Sequence, residues 1–260
     1  MRKPLHEYKM LYLDASDTLL TVPDARLLLQ RYLAERGLEF DPDLIGELLG
    51  KAFRQLYDEK PHDPAQSGCS PESDRAFWVA FYRYVLEHLG VHEAWAEAQL
   101  LACCSELYDL YTAPEQYRLF DDVKTSLTRV RELGVRLGIV SNFAPTLRAI
   151  LADQGVLDWF EPVIVSTEVG LEKPDPAIFR LALERAGLEP EDVLYVGDHV
   201  TNDVWSPNQV GIDAVRILRY ARHTGPGIRS LMELLEPGDE FERKDLNRDE
   251  ILDHGRSAEA

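Results

Sequence analysis

The stretch LYLDASDTLL, from Leu11 to Leu20, indicates the class of fold. It begins as an apolar run, stops at the carboxylate of Asp14 and continues into a short polar turn. In open α/β sheets, ligands bind at the carboxyl ends of the strands, so a carboxylate at a strand end is a candidate for chemistry. An Asp in this position can equally be a helix cap or a turn residue, and other parts of the chain must distinguish these roles.

Four more apolar runs follow, and helix-like segments separate them. Apolar runs without polar alternation, joined through helices, are typical of a parallel sheet covered on both faces. The sequence therefore predicts an α/β fold with a doubly wound, Rossmann-like parallel sheet. The predicted strands are 9–14, 135–141, 162–167, 193–198 and 213–217, and the predicted helices between them are 122–133, 145–154, 175–186 and a short one near 203–210.

Three of the predicted strands end in a polar side chain, namely Asp14, Ser141 and Asp198. Parallel strands place their carboxyl ends at one edge of the sheet. These three residues are therefore expected to converge, although they are far apart in sequence.

About a hundred residues of different character separate the first two strands. Apolar residues recur there at helical spacing, for example at Ile45, Leu48, Leu49, Ala52, Phe53, Leu56 and Tyr57. Segments 24–36 and 94–111 are also predicted helices, and 58–74 is predicted to be a loop between helices. We expect an α/β core formed by 1–19 and 118–235, and a helical cap formed by 20–117.

The tail, 236–260, is charged and is expected to be flexible. It contains DLNRDEILDHGR, which has the acidic spacing of a calcium loop. The glycine at the sixth position and the glutamate at the twelfth are missing, so calcium binding is not expected.

Composition narrows the possible functions. The chain of 260 residues has 46 acidic and 28 basic residues, for a formal charge of −18. Such a surface repels nucleic acid and anionic lipid, so neither partner is expected. A bound cation can still make one pocket attractive to an anionic substrate. The cysteines, Cys69, Cys103 and Cys104, show no disulfide pattern, and the N-terminus shows no apolar signal region, so a cytoplasmic protein is expected.

Four motifs occur in a fixed order along the predicted elements: LDASDTL at 13–19, IVSN at 139–142, EKPDP at 172–176 and VGDHVTNDV at 196–204. With these motifs the chain resembles the haloacid dehalogenase superfamily, in particular the branch with a helical cap inserted after the first strand. The resemblance extends from residue 9 to about residue 235, and the four motifs together are far more specific than any one of them.

The resemblance implies a role for each motif. Asp14 would be the nucleophile that forms an aspartyl-phosphate. Thr18 and Ser141 would donate hydrogen bonds to the phosphoryl group, and Asn142 would be their neighbour at the phosphate. Lys173 would neutralise the nucleophile and the transferring group.

The acidic fourth motif implies Mg²⁺, a hard cation that prefers oxygen ligands. Asp14, Asp198 and the main-chain carbonyl of Ser16 would bind it directly. Asp203 would bind through water or orient the direct ligands.

The chain departs from the family pattern at Ser16, where phosphatases have the Asp that acts as general acid and base. Losing such a group typically costs about 10²–10⁴ in rate, and least for good leaving groups such as acyl or aryl phosphates. A shifted register would make Asp17 the acid, but the spacing from Asp14 to Thr18 is intact and disfavours this. We therefore expect a Mg²⁺-dependent phosphatase for a small phosphorylated metabolite.

Three alternatives remain open. A 2-haloacid dehalogenase would use the Asp14 nucleophile on carbon without a metal, which would leave Asp198 and Asp203 as unpaired charges. A phosphonatase would need a cap lysine, and neither Lys51 nor Lys60 is distinguished by its surroundings. A scaffold that binds a phosphorylated ligand or a protein, with little turnover, is supported by Ser16 alone.

Substrate specificity is expected to lie in the cap. Arg75, Trp78 and Tyr82 share one helix face by their spacing. Trp78 and Tyr82 are expected to flank the cap core and Arg75 to be solvated. Contact of Arg75 or His62 with substrate is the less favoured alternative, and the sequence does not indicate an oligomeric state.

Overall fold

All five predicted strands form one parallel sheet in the computed structural model, which describes residues 3–58 and 69–235. The order of strands is β5-β4-β1-β6-β7, with β1 at the centre. The predicted α/β fold with a doubly wound parallel sheet is thereby confirmed. The strands are β1 Met10–Leu13, β2 Leu20–Thr21, β3 Arg118–Leu119, β4 Arg136–Ser141, β5 Val163–Val165, β6 Val193–Gly197 and β7 Asp213–Arg216.

Alternate residues of the central strand enter two different cores. Leu11 and Leu13 belong to the larger core, which continues into the cap, and Met10 and Tyr12 belong to the smaller core on the other face. Every residue of β1 is buried, as expected for a strand covered on both faces. Gly138 of β4 lies against the ring of Tyr12, where a Cβ atom would come within 2.4 Å of a ring carbon.

Helices cover both faces of the sheet and fill the predicted cap. Five of them, α1 to α5, lie between β2 and β3, and a π-helix at 53–58 extends α2. A second π-helix follows β6 at 200–205. The helices are α1 Ala25–Ala34, α2 Pro42–Ala52, α3 Pro71–His88, α4 Val91–Ala94, α5 Glu97–Tyr111, α6 Val123–Glu132, α7 Leu147–Asp153, α8 Ser166–Val169, α9 Ala177–Ala186 and α10 Ser206–Asn208.

The predicted loop 58–74 ends earlier than expected. Helix α3 already begins at Pro71, because Ser70 caps it: the Ser70 hydroxyl accepts from the Ser73 main-chain N–H and the Ser73 hydroxyl accepts from the Ser70 N–H. A proline in the first turn fits such a start, since its missing N–H has no helical partner there.

The short strands β2 and β3 were not predicted. They pair antiparallel through Leu20 with Leu119 and Thr21 with Arg118, so the two ends of the insert lie side by side. Two-residue strands show no periodicity in the sequence, which explains the omission. The boundaries of the cap at 20 and 117 stay a prediction.

The predictions for the tail 236–260, for Lys60 and for His62 lie outside the described residues. Within the residues that are described, no helix combines the length and the apolar character needed to cross a membrane.

Candidate active site

The carboxyl ends of three strands bring the predicted polar residues together. Asp14 follows β1, Ser141 ends β4 and Asp198 follows β6. Because β1 lies between β4 and β6, with Leu13 paired to both Ile139 and Val196, these ends are adjacent. The predicted convergence is confirmed.

Lys173 reaches this edge from the loop between α8 and α9. Its Nζ atom lies 2.7 Å from Oδ1 of Asp14 and 2.6 Å from Oδ1 of Asp203, and all three side chains are almost fully buried. Burial by itself lowers the pKa of this lysine, but Asp14 and Asp203 outweigh it and hold the pKa well above its ordinary value. The amine is therefore a fixed cation between two carboxylates.

Tyr195, in the middle of β6, was not identified from the sequence. Its hydroxyl donates to the main-chain oxygen of Val140 at 2.8 Å, and it also lies 3.0 Å from Nζ of Lys173 and 3.0 Å from Oδ1 of Asp203. A buried tyrosine needs a hydrogen-bond partner for its hydroxyl. The tyrosine inside the apolar run VLYVGD was therefore the feature of the sequence that could have indicated a polar contact here.

Asp203 is held on both of its oxygens. Oδ1 accepts from Lys173, and Oδ2 accepts from the main-chain N–H of His199 at 2.9 Å. The carboxylate packs so closely on Gly197 that a Cβ atom there would come within 2.3 Å of it. Asp203 thus has little freedom left, which suits a residue that orients its neighbours.

Three carboxylates form a compact group. One oxygen each from Asp14, Asp198 and Asp203 can be chosen so that all lie within 4.8 Å of one another. Burial raises the pKa of Asp14 to about 6, against the opposing effect of Lys173, and the neighbouring Asp203 raises it further. Burial, and then Asp203 and Asp14, raise the pKa of Asp198 well above its ordinary value.

This donor set fits Mg²⁺. The Asp198 carboxylate accepts no hydrogen bond within the described part of the chain, and Asp14 uses only Oδ1 toward Lys173. Two carboxylates therefore retain oxygens for a hard cation, while Asp203 is already occupied. A divalent cation would also relieve the repulsion that raises these pKa values.

Two buried hydroxyls at this edge have no hydrogen-bond partner among the described residues: those of Thr18 and Ser141. Ser141 lies close enough to Asp14 to lower its pKa slightly, although no hydrogen bond of normal geometry joins them. Leaving a buried hydroxyl unpaired is costly, so such groups in a native protein call for an explanation, such as an absent ligand. Both are free to donate to an oxyanion placed beside Asp14.

Comparison with known proteins agrees with this geometry. The family model described as haloacid dehalogenase-like hydrolase matches residues 8–211. The chain belongs to this family. A relative from Danio rerio, haloacid dehalogenase-like hydrolase domain-containing protein 3, is 33% identical over 203 residues, which are 76% of this chain and 80% of the relative.

Two further similarities concern activity and fold. Phosphoserine phosphatase from Thermus thermophilus is 30% identical over 235 residues, covering 84% of this chain and 92% of that enzyme. The crystal structure of the HAD-hydrolase YfnB from Bacillus subtilis, bound to magnesium, superposes with a TM-score of 0.68 at 21% identity and covers 88% of this chain and 97% of that one. The chain is thus a hydrolase of the haloacid dehalogenase-like family, which includes phosphatases.

Within this hydrolase, the side chain of Asn142 bonds the main chain of Lys173 on both of its amide atoms. Its amide nitrogen donates to the main-chain oxygen of Lys173 at 2.7 Å, and its amide oxygen accepts from the Lys173 N–H at 2.8 Å. The side chain therefore fixes the loop that carries Lys173. A direct contact with phosphate, which the resemblance implied, stays a prediction.

Ser16 is exposed, and Asp17 is partly buried. The backbone of Asp17 is left-handed, with φ of 52°, a conformation that favours glycine. Its carboxylate accepts from the Tyr220 hydroxyl at 2.6 Å, and this hydroxyl also contacts Thr21 Oγ1 at 2.7 Å. The register that puts Ser16 at the position of the family's general acid, and Asp17 where the family commonly has glycine, stays a prediction.

The predicted cap helix face is only partly as expected. Tyr82 is buried and Trp78 half-buried against the cap core, which confirms their packing role. Arg75 is not simply solvated, because its guanidinium donates to both carboxylate oxygens of Asp109, at 2.7 and 2.8 Å, and lies over the Tyr108 ring. It joins α3 to α5 within the cap. Lys51, the described candidate for a phosphonatase lysine, has its Nζ 6.0 Å from the centroid of the Tyr84 ring.

Proposed function

We propose that the protein is a Mg²⁺-dependent phosphatase that hydrolyses a small phosphorylated molecule through an aspartyl-phosphate on Asp14. The observation that carries the proposal is the group of three carboxylates beside one buried lysine, facing two unpartnered hydroxyls. A carboxylate nucleophile, a fixed cation and hydrogen-bond donors are the components that phosphoryl transfer requires.

The first chemical step follows from the positions of the side chains. An Asp14 oxygen attacks phosphorus, the new O–P bond forms, and the bond to the leaving oxygen breaks. Lys173 holds Asp14 in place through Oδ1 and keeps the repulsion between carboxylate and phosphoryl group small. Thr18 and Ser141 donate to the phosphoryl oxygens, which satisfies their buried hydroxyls.

In the second step, water attacks phosphorus, releases inorganic phosphate and restores the Asp14 carboxylate. Bound Mg²⁺ would supply charge neutralisation at the phosphoryl oxygens, held by Asp14, Asp198 and the main-chain carbonyl of Ser16. Asp203, already bonded to Lys173 and His199, would orient this group rather than bind the metal directly.

The proposed site lacks an acidic side chain at position 16 for the proton transfers. Ser16 replaces the acid that would protonate the leaving oxygen and later activate water, and a serine hydroxyl does neither at neutral pH. The enzyme should therefore act best on esters whose leaving group needs no proton. It should also accumulate the aspartyl-phosphate, because activation of water is impaired.

The dehalogenase alternative is disfavoured by charge. Without a metal, Lys173 is the single buried cation bonded to this group of three carboxylates within the described residues. The scaffold alternative keeps its one argument, Ser16, but it leaves the built arrangement of Asp14, Lys173 and Asp203 without a use.

A substrate panel tests the proposal. Aryl, acyl and alkyl phosphates and 2-chloropropionate are supplied with Mg²⁺ or with a chelator, to the wild type and to Asp14→Asn. Phosphate release that requires both Mg²⁺ and Asp14 is expected. Metal-independent halide release would establish the dehalogenase instead. If the wild type shows no turnover and Ser16→Asp does, the scaffold alternative would be established.

A further inference from the structure

The cap places a cluster of aromatic rings beside His199, the residue after Asp198. Tyr57, on the π-helix that extends α2, contacts the ring of His199, next to Asp198, with centroids 6.3 Å apart. It stacks on Trp78 at 6.4 Å with an interplanar angle of 24°. Phe53 and Phe77 meet Tyr57 edge to face, each at 6.2 Å.

Tyr57 lies within the electrostatic field of the whole catalytic group. Burial is the main cause that raises the pKa of its phenol; Lys173 opposes it, and Asp14, Asp203 and Asp198 add to it. Together with the ring contact to His199, this places Tyr57 close to the ends of β1 and β6.

The direction of attack determines what part of a substrate these rings would meet. In phosphoryl transfer, the attacking and leaving oxygens are roughly in line, so the leaving group points away from Asp14. Asp14 lies just after the end of β1, and the ring of Tyr57 contacts His199, which lies just after the end of the neighbouring strand β6. A leaving group that points away from the strand ends would therefore lie on the side of the site where Tyr57 and the rings packed on it lie.

These rings suit a flat apolar group better than a carboxylate. Phe53 is 42% exposed, and Tyr57 and Trp78 are half-buried, so part of the surface of these three residues is accessible. Several described cap arginines are paired with acidic side chains of the cap: Arg26 with Asp43, Arg36 with Glu106, Arg75 with Asp109 and Arg83 with Glu87 and Glu97.

The missing acid points to the same chemistry. A phenol leaves as a stabilised phenolate and needs no proton from the enzyme, whereas an alkoxide does. The Ser16 position favours a leaving group that needs no proton, and the aromatic cap favours a leaving group with a ring. A phenol has both properties.

From these observations we infer that the substrate class is the phosphate monoester of a phenol, whose ring packs on Tyr57 and the neighbouring rings of the cap. This inference rests on the proposed phosphatase function. The P–O(aryl) bond breaks as the Asp14 acyl phosphate forms, and the released phenolate takes up a proton from solvent. Water then attacks phosphorus, the bond between phosphorus and the Asp14 oxygen breaks, and inorganic phosphate and the Asp14 carboxylate are released.

Binding of unreactive analogues tests the inference without turnover. Calorimetry compares phenylphosphonate with methylphosphonate in the presence of Mg²⁺, and we expect phenylphosphonate to bind roughly tenfold more tightly. Equal binding of the two would overturn the aryl inference and leave the phosphatase proposal standing. Failure of both to bind would instead contradict the proposed phosphoryl site itself.

Variants locate the preference in the cap. Tyr57→Leu should lose most of the preference for the phenyl group, and Tyr57→Phe, which keeps the ring, should retain it. Trp95→Leu is the matched control, because it removes a cap ring that lies outside this cluster. This variant should also retain the preference for the phenyl group. An unchanged preference in Tyr57→Leu, with folding confirmed by circular dichroism, would contradict the assigned site.

Turnover separates stacking from the acidity of the leaving group. Phenyl phosphate is compared with hexafluoroisopropyl phosphate, a non-aromatic ester whose alcohol is about as acidic as phenol. We expect kcat/KM to be about tenfold higher for phenyl phosphate than for the non-aromatic ester. Equal values would show that acidity alone governs selection, and a higher value for phosphoserine would overturn the inference.

Discussion

The Nζ atom of Lys173 lies 2.7 Å from Oδ1 of Asp14, although 159 residues separate them in the chain. The same nitrogen binds Asp203, and the third carboxylate of the group, Asp198, is left without a bonded cation within the described residues. Three ionised carboxylates and one ammonium leave two negative charges, which match one divalent cation. This relationship links the proposed nucleophile, its proposed neutralising cation and the expected metal in a single arrangement.

Restoring the missing acid should extend the range of substrates. Ser16→Asp should raise the turnover of alkyl phosphates by about 10²-fold or more, because their leaving oxygen needs a proton. Aryl phosphates should gain much less. Steady-state kinetics on a matched pair of esters measures this, with Ser16→Asn as a control of similar size that cannot donate an acidic proton. Equal gains on both esters, or none, would contradict the role assigned to this position.

Tyr195 should act as a positioning residue for Lys173 and Asp203. Tyr195→Phe removes a buried hydroxyl bonded to the Val140 oxygen at 2.8 Å and should lower the free energy of unfolding by about 1–2 kcal/mol. It should also lower kcat, because Lys173 and Asp203 lose a shared partner.

Tyr12 provides the matched control for this change. It is equally buried on the neighbouring strand, and its hydroxyl donates to the Ala182 oxygen at 2.8 Å, outside the carboxylate group. Tyr12→Phe should cost similar stability in urea unfolding and leave kcat nearly unchanged. A similar fall in kcat in both variants would show that the effect is general destabilisation.

Arg219 should stabilise the loop that follows Asp14, through its contact with the main chain of Thr18. It donates twice to the main-chain oxygen of Thr18 and once to Asp122 at 2.8 Å, and its side chain is only 4% exposed. Arg219→Met should lower the free energy of unfolding by about 3 kcal/mol, because it leaves a mostly buried Asp122 without its cation. Urea unfolding measures the loss.

A surface ion pair gives the comparison for Arg219. Arg148 binds Glu168 at 2.9 Å, but the two side chains are 44% and 30% exposed. Arg148→Met should cost less than about 1 kcal/mol. A loss for Arg219→Met no larger than this would show that the buried pair contributes nothing beyond an exposed one.

The affinity for Mg²⁺ should fall as the pH falls through about 6. Burial raises the pKa of Asp14 to about 6 and that of Asp198 well above its ordinary value. Below these values the carboxylates bind protons, and protons compete with the cation, so affinity decreases by roughly tenfold per pH unit for each proton displaced. Calorimetry from about pH 5 to about pH 7.5 checks this, and an affinity independent of pH over that range would contradict the cluster as the metal site.

The sequence predicted those parts of the site that lie where a strand ends. Asp14, Ser141 and Asp198 are visible as polar residues after buried apolar runs, and topology alone brings them together. Tyr195 was not identified because a tyrosine inside a strand has the same sequence pattern as a residue that only packs in the core. Its role becomes visible only when the structure places Lys173 beside its hydroxyl. Sequence order also does not show that the amide of Asn142 bonds the main chain of Lys173, 31 residues later.

The cap shows a second limit of sequence reasoning. Helical periodicity identified its helices, but it does not tell which face meets the core. The sequence showed Tyr57 only as part of a helical period, and its contact with His199 places it at the site. Contacts between an insert and the domain that carries it depend on the angle between them, which no local pattern encodes.

The most direct test of the account is the detection of a phosphate on Asp14 during turnover. The protein with Mg²⁺ and phenyl phosphate is quenched in acid and reduced with borohydride, which converts an aspartyl-phosphate to homoserine, and the tryptic peptide 10–26 is sequenced by mass spectrometry. We predict homoserine at position 14, and none at Asp17, in the wild type, and no modification in Asp14→Asn. Steady release of phosphate by Asp14→Asn, or modification at Asp17 in place of Asp14, would contradict the assignment of the nucleophile.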